Sequence, residues 1–197
     1  MNIGIFYAST TGNTKSVAEL INKKITSIIS DGYVNIVDIA SDGVRSMIAF
    51  NLIIIGVSTW DLGDLQYDWA DAMDDLSTLD LRGKTVAIFG LGDQEGYYDT
   101  FVDGMGIMAN IIRKCGGQLV GFTSINGYSF EESTAVEDEK FLGLALDEDN
   151  QSDQTEKRVT AWCQQLKEEL NLWIGKLWST NKKRELTTKL VIAAKFN

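Results

Sequence analysis

Short, fully apolar runs alternate with amphipathic stretches along most of this chain. Ile3 to Ala8 reads as a buried strand, and the segment after it sets Val17, Leu20, Ile21, Ile25, Ile28 and Ile29 on one helical face. Val34 to Ile39 predicts a second strand. Leu52-Ile53-Ile54-Ile55-Gly56-Val57 is a third, apolar on both faces as a central parallel strand must be. Val86-Ala87-Ile88-Phe89-Gly90 is the fourth. A helix follows, with Phe101, Met105, Met108, Ile111 and Ile112 at helical spacing and Gly116-Gly117 to close it. Leu119 to Thr123 begins a fifth strand. Residues 124–140 are polar and acidic and break the rhythm before Phe141 to Leu146 restores it, so they read as an excursion interrupting that strand. The last helix starts near Ser152-Asp153, a cap with Glu156 three residues on, and its apolar face is Val159, Trp162, Cys163, Leu166, Leu170 and Trp173.

Strands alternating with helices through short connections imply right-handed crossovers and a parallel sheet covered on both sides. Such sheets bind ligands beyond the carboxyl ends of their strands, where the strand order reverses. Chemistry is therefore expected in the loops after the first, third and fourth strands.

Composition narrows the field. At 197 residues and 44% hydrophobic content, the chain suits one domain with a real core. No apolar run approaches the roughly 20 residues that cross a bilayer, and the start has no basic segment or small-residue cleavage site. A cytoplasmic or stromal location is expected. Cys115 and Cys163 form no metal-ligand cluster and are expected to be buried, reduced thiols. The absence of histidine removes histidine-based triads and the usual zinc sites. A net charge of −10 argues against nucleic acid as a partner. That charge is uneven: residues 1–175 carry 12 basic and 27 acidic side chains, a balance of −15, whereas residues 176–197 carry 6 basic and 1 acidic, a balance of +5. The acidic body would steer the protein towards basic partner faces.

The loop after the first strand is Ser9-Thr10-Thr11-Gly12-Asn13-Thr14. Hydroxyls, an amide and a permissive glycine at a helix N-terminus make a cradle for a phosphate without any cation. The glycine-lysine-serine/threonine ending of a P-loop is missing, which argues against triphosphate hydrolysis. A hydroxyl-rich helix cap with no ligand would look the same. After the third strand comes Ser58-Thr59-Trp60-Asp61-Leu62-Gly63, where Trp60 either lies flat on a planar ligand or plugs the loop into the core. After the fourth comes Gly90-Leu91-Gly92-Asp93-Gln94-Glu95-Gly96-Tyr97-Tyr98; a dinucleotide fingerprint would need glycine where Glu95 stands.

From Ile5 through Thr14 to Ile21 the chain resembles the flavodoxin signature, and the other two loops resemble those of long-chain flavodoxins. So does Gly143 to Asp153, and the excursion at 124–140 matches the insertion that marks the long-chain branch. The resemblance spans residues 3–172. It implies a flavodoxin-like doubly wound α/β fold with a five-stranded parallel sheet in the order 2-1-3-4-5, the last strand interrupted, and non-covalently bound FMN. Carried over position by position, Ser9, Thr10, Thr11, Gly12, Asn13 and Thr14 hold the phosphate, and Trp60 and Tyr97 stack on the two flavin faces. Thr59 and Asp93 are polar contacts, and Asp149 is a carboxylate near the ribityl chain. Ser58, Asp61, Leu62, Gly63, Leu91, Gly92 and Thr100 complete the set. The peptide joining Asp61 to Leu62 is expected to turn over when the flavin takes up one electron. Three residues depart from the family pattern: Ser58 for proline, Leu91 for threonine and Asp61 for asparagine.

The resemblance further implies a monomeric low-potential carrier of single electrons with no substrate of its own. Partners of such proteins include photosystem I, ferredoxin–NADP reductase, nitrogenase and oxoacid oxidoreductases. The rivals are an FMN-dependent NAD(P)H:quinone oxidoreductase of the same fold and a regulatory module without redox work. Residues 1–172 are read as the FMN-binding domain. Residues 173–197 are read as a basic extension, with Lys182-Lys183-Arg184 and the apolar Leu190 to Ala194, frayed or docked on the acidic body or a partner.

Overall fold

The computed structural model describes residues 1–29 and 32–170. The expected extension at 173–197, and Trp173 of the last helix, lie outside them. In chain order the elements are β1 (Asn2–Tyr7), α1 (Asn13–Ile28), β2 (Tyr33–Asp38), α2 (Ile39–Asp42), β3 (Leu52–Trp60), β4 (Asp64–Leu65), α3 (Tyr67–Asp71), α4 (Met73–Ser77) and β5 (Thr85–Leu91). There follow α5 (Asp103–Lys114), β6 (Gln118–Val120), β7 (Thr123–Ser124), β8 (Val136–Glu137), β9 (Lys140–Phe141), β10 (Leu144–Leu146) and α6, helical over 152–170.

The main sheet runs β2-β1-β3-β5, all parallel, and its fifth position is shared. β6 pairs with Thr85 to Ala87 at one end of β5, and β10 pairs with Phe89 to Leu91 at the other. This is the interrupted fifth strand expected from the sequence. The interruption is longer than the polar segment: the chain leaves the sheet after Val120 and returns at Leu144. Between them β7, β9 and β8 form a small antiparallel sheet.

Residue alternation along the strands feeds two cores, as a sheet buried on both faces requires. Ile53, Ile55 and Val57 of β3 pack on one side with Met105, Met108 and Ile112 of α5. Leu52 and Ile54 face the other, against Val17, Ile21 and Ile25 of α1 and Val159, Trp162 and Leu166 of α6.

Three local expectations need correction, and two short helices leave no sequence signal. β3 runs three residues beyond its apolar stretch, because Ser58 still pairs with Leu91 while Thr59 and Trp60 turn back in a hairpin onto Leu65 and Asp64. α3 and α4 were not legible: each is five residues long and buries one large side chain, Trp69 or Leu76, so neither shows a helical period. Phe101 precedes α5 instead of lying on it, and anchors an aromatic cluster with Tyr128, Phe130 and Phe141 at centroid distances of 5.7, 5.4 and 5.9 Å. Ser152 and Asp153 lie inside α6 instead of capping it, and Glu156 pairs with Lys24 at 2.7 Å.

Candidate functional site

The cleft lies at the carboxyl ends of β1, β3 and β5. Its first wall is the turn between β1 and α1. Gly12 takes φ +96°, a left-handed conformation that side chains disfavour, and its N–H donates to Ser9 Oγ at 3.1 Å. Among the described residues no side chain caps α1 and its first turn holds no acid, so the opening N–H groups are free for an anion. Thr10, Thr11, Asn13 and the buried Thr14 face this opening.

The second wall is the end of β3. Trp60 Nε1 donates to Ser58 Oγ at 3.0 Å, and the indole packs against Tyr67 at 5.5 Å. The tryptophan plugged into the core is Trp69, fully buried with Nε1 donating to the Gly56 carbonyl at 2.8 Å; Trp60 stays half-buried at the cleft. Gly63 N–H donates to the Trp60 carbonyl at 3.2 Å and closes a tight turn. Asp61 in that turn takes φ +48°, which among side-chain-bearing residues Asn and Asp tolerate best.

The third wall is the segment after β5. Asp93 Oδ1 accepts from the amides of Gly96 and Glu95 at 2.8 and 3.0 Å and from Asn150 Nδ2 at 2.8 Å. The Gly96 amide above all holds this carboxyl below the usual carboxylate range, with Asn150 and Glu95 helping against partial burial. Behind it lies Asp147, fully buried, whose oxygens accept from the amides of Gln94, Asp149 and Asn150 and from the Gln94 and Asn150 side chains. Burial, then repulsion by Asp93 and Asp147, pushes the Asp149 carboxyl up.

These walls enclose two adjoining cavities. One, of about 330 Å³, is lined by Thr10, Thr11, Asn13, Thr14, Ser58, Leu91, Glu148 and Asp149, together with Thr59, Trp60, Gly92, Asp93 and Tyr97. The last five also line the other, of about 300 Å³, with Asp61 and Thr100. Ser9 and Gly12 shape the loop without lining either space. Leu62 is 82% exposed at the tip of its turn, and Gly63 is buried against Thr100 and Asp103. Tyr98 lines neither cavity; its carbonyl accepts the Glu131 and Glu132 amides from the excursion.

The sequence reading missed Glu148, Gln66, Gln94 and Asp147. The only signal for Asp147 was its place directly after an apolar strand, ahead of Asn150, where an aspartate readily bonds the amides of the next turn.

A flat, phosphorylated ligand matches this cleft. Thr100 Oγ1 is buried without a hydrogen-bond partner among the described residues, the kind of group a ligand satisfies. Among the described residues no basic side chain lines either space, and the donors there that suit a phosphate are N–H groups and hydroxyls. Among the described residues no cluster could hold a metal ion. A donor-lined helix N-terminus at one end of such a cleft and two aromatic rings at the other, on a doubly wound sheet, define a mononucleotide-binding protein.

The flavodoxin family model matches residues 5–162. The flavodoxin of Synechocystis sp. is 47% identical over 165 residues, covering 84% of this chain and 95% of that protein. Flavodoxin 1 of Escherichia coli is 40% identical over 170 residues, covering 86% and 94%. The crystal structure of Fusobacterium nucleatum flavodoxin bound to flavin mononucleotide superposes with a TM-score of 0.79 at 34% identity, covering 85% of this chain and 98% of that one. This chain belongs to the flavodoxin family.

Proposed function

We propose that this protein carries electrons one at a time on non-covalently bound FMN and exchanges them with larger redox enzymes. The observation that carries the reading is the cleft itself, with uncharged donors at its α1 end and Trp60 and Tyr97 lining its other end. FMN, when bound, supplies the one-electron chemistry. The chain's own residues position it: Thr10, Thr11, Asn13 and Thr14 with the α1 amides bind the phosphate, and Trp60 and Tyr97 cover the ring faces and exclude water. Thr59, Asp93 and Thr100 offer polar contacts at the ring edge. Carboxylates at the cleft, with no basic lining residue among the described ones to offset them, disfavour an added negative charge and so favour a low potential.

Rings on both faces leave little room for a hydride donor, which favours a carrier over an FMN-dependent quinone oxidoreductase. The acidic body suits partners with basic docking faces, of the kind found in photosystem I, ferredoxin–NADP reductase, nitrogenase or oxoacid oxidoreductases. No helix among the described residues is long and apolar enough to cross a membrane; we infer a monomer in the cytoplasm or stroma.

A reductive titration of the purified protein, followed by visible absorbance, tests the reading. A yellow protein whose half-reduced flavin accumulates before full reduction is expected. Colourless protein that takes up no added FMN overturns it.

A further inference from the structure

We propose that Asp103 is a positioning residue that fixes the Trp60–Gly63 turn from behind and so sets how tightly, and at what potential, the flavin is held. The inference rests on the FMN reading above. Asp103 opens α5 and is 9% exposed. Its Oδ1 accepts from the Thr134 N–H at 2.7 Å and from Thr134 Oγ1 at 2.9 Å, which fixes the plane of the carboxylate against the excursion. The other oxygen, Oδ2, stands 3.0 Å from the place a Cβ on Gly63 would occupy. Thr100 Cγ2 and Cβ, at 3.3 and 3.4 Å from that place, complete the same wall. Asp103 and Thr100 therefore back the turn whose front, Trp60 and Asp61, lines the smaller cavity.

Two further contacts hold the start of α5 in register with this turn. Gly104 N–H donates to Thr59 Oγ1 at 3.0 Å, tying the first turn of α5 to the end of β3. Val102, ahead of Asp103, takes φ +53° and ψ +28°, a strained conformation for a β-branched residue that persists only where its surroundings dictate it. The Gly92 segment lies close against it: a Cβ on Gly92 would lie 2.9 Å from Val102 N. The backbone that carries Asp103 thus sits between two walls of the cleft, and Thr134 holds its carboxylate. A fixed negative group there both shapes the turn and opposes negative charge arriving on the ring.

The test compares the full chain with its Asp103→Asn, Asp103→Ala and Thr134→Val variants. Asparagine keeps the shape and an Oδ1 acceptor for Thr134 but removes the charge; alanine removes both. Flavin fluorescence gives FMN affinity, spectroelectrochemistry gives the potential of the second electron, and urea unfolding of the apoprotein reports fold damage. Asp103→Asn should favour uptake of the second electron about tenfold, a rise of about 59 mV for one electron. Asp103→Ala should weaken FMN binding about tenfold or more, and Thr134→Val by less. A potential and an affinity within twofold of the unaltered chain in both Asp103 variants would overturn the role. If Asp103→Ala does not fold, the potential of Asp103→Asn alone decides. Failure of the unaltered chain to bind FMN would instead strike the functional reading itself.

Discussion

Gln66 Nε2 donates to the Thr10 hydroxyl at 3.1 Å, joining the turn ahead of α1 to the segment after β3. Gln66 is 1% exposed, and its Oε1 also accepts the amides of Asp68 and Trp69 at the start of α3. One side chain therefore sets the spacing between the phosphate end of the cleft and its aromatic end. Gln66→Leu should lower apoprotein stability by about 1–3 kcal/mol, since it leaves buried amides unpaired. It should also weaken FMN binding more than riboflavin binding, because the phosphate loop is what loses its tether. Urea denaturation and parallel titrations with the two flavins check this.

Trp60 and Tyr97 line both cavities and are expected to clasp the ring system. Stacking adds roughly 1 kcal/mol beyond the area it buries, so Trp60→Ala and Tyr97→Ala should each weaken FMN at least about fivefold. Trp60→Phe should retain most of the affinity. Tyr98→Ala should affect flavin binding little, because that side chain lines neither cavity. Quenching of flavin fluorescence on binding measures all four.

Asp61 sits at φ +48° in the exposed turn after β3. Asp61→Asn keeps a residue that tolerates this conformation and removes a negative charge that lines the smaller cavity. The potential of the second electron should rise by tens of millivolts at low salt, below the ~120 mV of an unscreened charge ~6 Å away at a dielectric of ~20. The rise should shrink as ionic strength increases. Asp61→Ala should show the same electrostatic rise but a less stable turn.

Asp93 and Asp149 should give opposite pH signatures. The Asp93 carboxyl is held below its ordinary 3.8 by the Gly96 amide first, so it stabilises the fold fully above that value and less as pH falls through its depressed one. Asp149 is pushed up by burial and by neighbouring carboxylates, so its ionised form costs stability above its raised value, and the cost disappears below 3.8. Asp93→Asn should be destabilising at pH 7 and neutral in strong acid. Asp149→Asn should be stabilising at pH 7, with the gain lost on acidification. Denaturation midpoints of the apoproteins from pH 7 down into strong acid check both signs.

Cys163 is buried and its thiol is pushed up to about 12; Cys115, also buried, is raised by the same cause. Thiolate is scarce at pH 8 in both, so a disulfide reagent should label neither quickly in the folded protein. Both should react at once in denaturant.

The fold was legible wherever burial is two-sided and continuous. Leu52 to Val57 could only be a central strand, and the polar run after Thr123 correctly marked a break in the last one. Short elements that bury one side chain, such as α3 around Trp69, leave no period to find. The cleft divides in the same way. Thr10, Trp60 and Tyr97 stood out because hydroxyls, indoles and phenols beyond strand ends are chemically conspicuous. Gln66, Asp147 and Asp103 escaped because each also bonds a group distant in sequence, the Thr10 hydroxyl, the Gln94 amide and the Thr134 amide respectively, and nothing in the local composition announces such a partner. Ser152 and Glu156 misled for a related reason: the capping spacing was present, but Lys24 on α1 took the glutamate.

The divided outer strand has a consequence for how this molecule behaves among its own copies. Gly143 and Ala145 turn their carbonyls away from β5, where another chain could add a strand. Thr123 Oγ1 donates to the first at 2.6 Å and Tyr128 Oη to the second at 2.5 Å. Where the chain leaves β6, the Gly121 carbonyl accepts from Trp162 Nε1 at 2.7 Å. Side chains of the detour and of α6 thus stopper these acceptors, so this edge of the sheet offers fewer open carbonyls to a strand from another copy.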